Sequence, residues 1–175
     1  MKQFLFLLCL MSMTLASAQV KWMTMNDALA AQKKEPRKIL FKTYTKSCPN
    51  CKWMDKHAFA KADIAQFINT TYYPVSFDAE GKESITYKSK TYGNKQYQKF
   101  PGAQHDFAEA MQIFEYPTII FFDQKGNVIQ PIPGKLDAKK LEIYITMLSD
   151  DTYKSIRTGK DWADYQASFN YQLQD

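Results

Sequence analysis

Between residues 38 and 44 the chain reads Lys-Ile-Leu-Phe-Lys-Thr-Tyr, an apolar and β-branched run of the kind that forms a buried strand. A second such run covers 72–77. The clearest is Thr118-Ile119-Ile120-Phe121-Phe122, followed by the turn-forming residues 123–127 and a partner run at 128–132, which together predict an antiparallel hairpin. Between these runs the apolar positions recur at helical spacing. Asn26 is placed to cap a helix carrying Ala28, Leu29 and Ala31 that ends before Pro36. Residues 52–59 contain no Pro or Gly and suit a helix, and Asp63 is placed to cap another carrying Ile64, Phe67 and Ile68. Phe107, Met111 and Phe114 predict a helix cut at Pro117, and Asp137 one with Leu141, Tyr144, Ile145 and Leu148 on one face. A last amphipathic stretch within 150–175 carries Trp162, Tyr165 and Phe169, a stripe expected to be core.

Residues 78–104 break the rhythm. They are rich in Lys, Tyr, Gly and Ser, and only Ile85-Thr86-Tyr87 is strand-like, so the segment reads as an insertion, a solvated loop packed by its own tyrosines. The resulting order is strand, helix, strand, helix, hairpin, helix, without an internal repeat. Alternation of this kind belongs to the α/β class, with helices covering both faces of a sheet.

The first 18 residues change the picture of the cell compartment. Lys2 is followed by the apolar run Phe4 to Met11 and the small-residue sequence Ala16-Ser17-Ala18, the pattern of a cleaved signal peptide with processing expected before Gln19. Leu8 stands where a lipoprotein signal wants a small residue, which disfavours an anchor on Cys9. The expectation is a periplasmic or secreted protein that is not an integral membrane protein, since no stretch reaches the roughly 20 apolar residues of a spanning helix. Residues 19–175 are then expected to form a single domain, and a monomer. The formal charge falls from +5 to +4 when Lys2 leaves, with lysines interleaved among acids and tyrosines. That is a solvated basic surface, and together with export it argues against nucleic acid as a partner.

Export also simplifies the cysteines, because three become two: Cys48 and Cys51, in Ser47-Cys48-Pro49-Asn50-Cys51-Lys52. One pair cannot make a disulfide-rich scaffold. Two thiols at this spacing, where a strand meets a helix, are placed for a reversible bridge. The first gains from unpaired helix N–H groups and the helix dipole, which favour its thiolate, and the second is placed to resolve a mixed disulfide. Cys48 is therefore the expected nucleophile and Cys51 the resolving thiol. A structural staple is the competing reading, but so short a loop removes only roughly 2 kcal/mol of chain entropy, against about 3 for fifteen residues. A metal site would need two more ligands, for which His57 and His105 are the nitrogen donors available, so no metal and no other cofactor is expected. His57, six residues past Cys51, is expected at the surface, and His105 could fold back towards the thiols. Pro117 opens a central strand and removes a ladder donor there, which a cis bond in a tight turn would explain.

Taken together, the strand, Cys-Pro-Asn-Cys-Lys, the later Tyr116-Pro117-Thr118, the apolar strand, the Gly126-Asn127 turn and the closing amphipathic helix resemble the thioredoxin superfamily over about residues 20 to 148. More narrowly, the helix-rich stretch after Cys51 and the strand Tyr72-Tyr73-Pro74-Val75-Ser76-Phe77-Asp78 resemble secreted thioredoxin-like proteins with an insertion before the cis-proline. The resemblance implies a three-layer fold, a central mixed sheet with helices on both faces, and a cis Pro117 packed beside the disulfide. It also implies that the Tyr116 backbone binds substrate peptide as an added strand. The chain departs from the family pattern at Lys42, where a buried Asp is usual, at Ser47, where Trp is usual, and at Pro49-Asn50 in place of Gly-Pro. The expected activity is thiol–disulfide exchange with protein thiols or disulfides, with reduction slightly favoured and a membrane-embedded redox partner supplying electrons. The rival class is a thioredoxin-fold binding module that keeps its cysteine pair permanently oxidised.

Overall fold

The computed structural model describes residues 19–173; the predicted signal segment lies outside them. Four strands form one mixed sheet in the order β2-β1-β5-β6: β1 (Lys38–Tyr44), β2 (Tyr72–Asp78), β5 (Thr118–Phe122) and β6 (Val128–Pro133). β1 runs parallel to β2 and antiparallel to β5, and β5 pairs antiparallel with β6. A single parallel bridge from Met23 to Val75 adds the N-terminal segment to the β2 edge. The predicted hairpin forms, with Gly126 at φ +75° in its turn, a conformation that L side chains rarely adopt. Asp123 closes that turn by accepting the N–H groups of Lys125 and Asn127.

Alternation along the strands divides the core between two faces. Leu40, Tyr72, Ile119, Phe121 and Ile132 face α2 (Pro49–Met54), α3 (Ala62–Thr71) and α5 (Ala138–Ser149), which supply Met54, Ile64, Ile68, Leu141, Ile145 and Leu148. Ile39, Phe41, Val75, Phe77, Ile120 and Phe122 face α1 (Met25–Lys34) and α4 (Asp106–Ala110) through Met25, Ala28, Phe107 and Ala108. Helices thus cover both faces of the mixed sheet, as expected.

Several local expectations are corrected. Thr24, not Asn26, caps α1, accepting the Asp27 N–H at 3.1 Å. Asn26 instead reaches the insertion, donating to Ser84 O and accepting from Thr86 N–H. Lys61 occupies the cap position of α3, and Asp63 lies in its first turn. The helix after Cys51 changes at Asp55 into a π turn, Asp55–Phe59. The helix before Pro117 is only one turn long: Met111 ends it, Gln112 takes φ +56°, and Phe114 is 83% exposed.

Residues 95–102 form mostly exposed turns, but the first half of the insertion is not a solvated loop. It forms a hairpin of β3 (Ile85–Tyr87) and β4 (Lys90–Tyr92), whose Ile85 and Tyr87 are buried in the α1/α4 layer. Tyr87 and Tyr92 pack edge-on against Phe107, and the Tyr87 hydroxyl donates to Gly126 O at 2.8 Å. Full burial of two such side chains is worth about 1.5–3 kcal/mol each, enough to dock a short hairpin. The C-terminal stripe is corrected in the opposite sense. No residue of α6 (Gly159–Ser168) is buried. Its Trp162 and Tyr165 continue a half-exposed row of rings that starts at Tyr144 and runs on to Phe169 and Tyr171.

Candidate active site

β1 delivers the cysteines. Beyond Tyr44 the chain turns tightly, with the Cys48 N–H donating to Thr45 O at 3.2 Å, and enters α2 with Pro49 in the first turn, where a missing N–H costs nothing. Cys48 is the N-cap residue, and its Sγ takes the role a serine oxygen usually plays, accepting the Cys51 N–H at 3.0 Å. Cys48 and Cys51 are disulfide-bonded, with their Cα atoms 5.4 Å apart. Cys48 is 8% exposed and Cys51 2%. The outer sulfur therefore sits where helix N–H groups and the helix dipole favour a thiolate, and the inner one lies beneath it.

The start of β5 lies alongside. In the antiparallel register Thr43 pairs with Thr118, so Pro117 meets the C-terminal end of β1, four residues before Cys48. The Tyr116–Pro117 bond is cis. Because proline gives the ladder no N–H, the two chains are joined here through a side chain: the Thr43 hydroxyl accepts the Thr118 N–H at 3.0 Å and donates to Thr118 O at 2.9 Å. On the other side Gly134 donates its N–H to Pro117 O at 2.8 Å. Gly134 has φ +89°, and a Cβ there would come within 3.2 Å of Glu115 Oε1. The next residues of that loop close onto α2: the Lys135 ammonium lies 4.5 Å from the Trp53 ring centroid, and the Leu136 N–H points at Met54 Sδ at 3.4 Å.

Gln104, the last residue of the insertion, pins the cis-proline loop by donating to Ile113 O at 2.6 Å and to the Tyr116 hydroxyl at 3.1 Å. Burial pushes the Tyr116 phenol above its ordinary pKa; the Gln104 hydrogen bond opposes this, and the Glu80 and Asp78 carboxylates add to it. Nothing in the local pattern around Gln104 distinguished it from the rest of the insertion.

Lys42 is buried, with 4% of its side chain exposed, on the sheet face that carries α2. Its ammonium meets Asp55 Oδ1 at 2.5 Å and lies over the rings of Trp22, Phe59 and Tyr44 at 4.6, 5.4 and 5.5 Å. Asp55 follows Cys51 by four residues, one helical turn, a spacing present in the sequence whose partner only the fold reveals. The position at which the family usually carries a carboxylate thus holds a cation, with the carboxylate supplied from the helix.

The two histidines do not join the thiols. His57 is exposed and tilted over Trp53, with ring centroids 4.7 Å apart. His105 is buried in the other layer, where its Nδ1 accepts the Phe107 N–H and its ring packs on Phe77. Among the described residues no group of three His, Cys, Asp or Glu side chains could hold a metal ion, and no helix is long and apolar enough to cross a membrane.

Strand order, the two helical layers, a Cys-X-X-Cys helix start just after β1 and a cis-proline opening the neighbouring strand β5 give this chain the architecture of a thioredoxin-fold protein. Its sequence matches the thioredoxin-like domain family over residues 25–148, most of its length, and the chain belongs to that family. No curated protein matches it. Among solved structures it is similar to a DsbH oxidoreductase, at 15% identity and a TM-score of 0.55 over 82% of this chain and 90% of that one. It is also similar to a thioredoxin-fold protein from Helicobacter pylori, at 13% identity and a TM-score of 0.56 over 76% and 81% of the two chains. A thioredoxin from Thermus thermophilus gives 13% and 0.56 over 74% and 87%. At these identities the likeness is one of fold.

Proposed function

We propose that the protein is a thiol–disulfide oxidoreductase acting on protein disulfides outside the cytoplasm, in the reducing direction. The observation that carries this reading is the cap geometry: Cys48 Sγ accepts the Cys51 N–H, so the outer sulfur of a pair on the first turn of α2 has its thiolate state stabilised by the helix start. Starting from the dithiol, the Cys48 thiolate attacks one sulfur of a substrate disulfide. A mixed disulfide forms and the other substrate sulfur leaves as a thiolate that takes a proton. Cys51, deprotonated, then attacks Cys48 Sγ, the mixed disulfide breaks and the second substrate thiol departs. Two electrons have passed to the substrate, and the protein is left with the Cys48–Cys51 bridge. A dithiol donor must reduce that bridge again, and a membrane-embedded partner suits an exported protein.

The substrate backbone is placed by Tyr116 and Pro117, as a short added strand beside the disulfide. Support for the reducing direction comes from Lys42. An ammonium left unneutralised on the β1 face that carries α2 would favour the thiolate and make the pair more oxidising, and here it is held by Asp55. Export is inferred from the Lys2 to Ala18 segment.

Trapping tests the assignment of roles. The reduced Cys51→Ser variant, mixed with a disulfide-bonded protein such as insulin, is expected to accumulate a mixed disulfide through Cys48 visible on a non-reducing gel, and Cys48→Ser is expected to give none. Trapping by Cys48→Ser with none by Cys51→Ser would reverse the roles, and no adduct from either would remove the exchange activity.

A further inference from the structure

The outer surface of α2 and its π turn carries a cluster that the exchange chemistry does not use. Trp53 is 37% exposed, with the His57 ring against it at 4.7 Å and the Lys135 ammonium against it at 4.5 Å. Lys52 and Lys56, four residues apart on the same stretch of helix, are both exposed. Among the described residues Lys52, Lys56 and Lys135 form no ion pair. The nearby acids are engaged elsewhere: Asp55 is held by the buried Lys42, and Asp137, two residues past Lys135, caps α5 by accepting the Lys140 N–H. Lys46, just before the motif, lies 3.9 Å from Asp78. Lysines on a solvated surface are ordinarily interleaved with acids. Lys135 packed on an exposed indole two residues past Cys51, with Lys52 and Lys56 exposed on the same helical stretch, makes a cationic rim around an apolar centre.

We propose that this face docks an acidic polypeptide, one that sets Asp or Glu side chains against Lys52, Lys56 and Lys135 and an apolar side chain on Trp53. The proposal rests on the exchange reading above and names the class of partner that the site selects. The loop that carries Lys135 also holds the cis-proline through Gly134, so a chain docked on Trp53 lies next to the disulfide. Opposite charges at this distance raise the encounter rate and the affinity at low salt and are screened at high salt.

Binding to the oxidised protein tests this without requiring exchange. Two cysteine-free peptides of about twelve residues, one alternating Glu with Leu and one alternating Lys with Leu, are titrated calorimetrically at about 20 mM and about 500 mM salt. The acidic peptide is expected to bind at low salt at least tenfold more tightly than the basic one, and to lose that advantage at high salt, within the range electrostatic steering and pairing supply. The double variant K56E/K135E, which leaves Lys52 beside the thiols untouched, is expected to lose on the order of tenfold in affinity for the acidic peptide. K82E/K99E, an equal change of charge in the insertion, is expected to keep it. Equal binding of the two peptides, or equal losses in both variants, would overturn the docking face and leave the exchange reading standing. Acidic-peptide binding in a protein that fails to trap substrate would leave the face standing and remove the exchange.

Discussion

The ion pair of the buried Lys42 with the half-exposed Asp55 predicts an asymmetry between its two partners. Lys42 is 4% exposed and Asp55 47%, so the cation belongs to the core and the anion to the boundary. Asp55→Ala leaves the ammonium facing only three aromatic rings. Breaking a buried pair this way costs about 3–5 kcal/mol when both partners are enclosed, and the half-exposed position of Asp55, through which water can enter, lowers the expectation to about 2 kcal/mol. Helix propensity cannot account for such a loss, since alanine is the better helix former. Lys42→Met keeps the aliphatic stem against Trp22 and Phe59 and returns Asp55 to water, so it should change stability by less than about 1 kcal/mol in either direction. The double variant should behave like Lys42→Met alone. Urea unfolding of the oxidised proteins, followed by circular dichroism, measures all four species, and 2 kcal/mol corresponds to roughly 4–8 °C in Tm for a chain of this size. A Lys42→Met loss as large as that of Asp55→Ala, or no loss in Asp55→Ala, would refute the reasoning.

Other consequences follow from the buried tyrosines, the hairpin turn and the insertion. Burial, with Asp150 and Asp151 adding to it, pushes the Tyr72 phenol far above the ordinary tyrosine range. The folded chain therefore holds a proton that the unfolded chain releases above about pH 10, so this stability is complete below pH 10 and is lost as pH rises, by up to about 1.4 kcal/mol per pH unit. Tyr72→Phe should shrink that alkaline slope in pH-dependent unfolding and cost about 1 kcal/mol at neutral pH, because Ile145 O loses its donor. At Asp123, burial raises the carboxyl pKa but is outweighed by hydrogen bonds from Asn127 and Lys125, so the net shift is below the ordinary 3.8. Its contribution is present above that value and lost as pH falls, and acid unfolding of Asp123→Ala should show a shallower loss. Gln104→Ala should slow exchange with protein disulfides by up to roughly tenfold, from a hydrogen-bond loss of about 0.5–1.5 kcal/mol, while exchange with a small disulfide changes less. Equal slowing of both would place Gln104 outside substrate positioning.

What the sequence revealed follows the reach of each signal. The strands at 38–44 and 118–122 were readable because a strand buried on both faces is a continuous apolar run, and α5 because cap and stripe agree. The thiol pair and cis-proline were readable because both lie in short local motifs. Asn26 was misread as a cap because its side chain is suited to either role, and the hairpin of the insertion competes for it. The helical spacing of Phe107, Met111 and Phe114 was real, but Gln112 turns left-handed before the third member and leaves it in solvent. The Trp162 stripe has helical spacing without a covering layer. Asp55, Gln104, Gly134 and Lys135 act through residues 13, 12, 17 and 82 positions away, and such pairings exist only once the sheet has formed.

The redox potential of the Cys48–Cys51 pair tests the central claim most directly. Equilibration in dithiol–disulfide buffers, followed by thiol alkylation and mass measurement, should give a midpoint of about −270 to −180 mV, where the pair can pass electrons to protein disulfides. A midpoint below about −300 mV would contradict the account and define an inert bridge in a binding module.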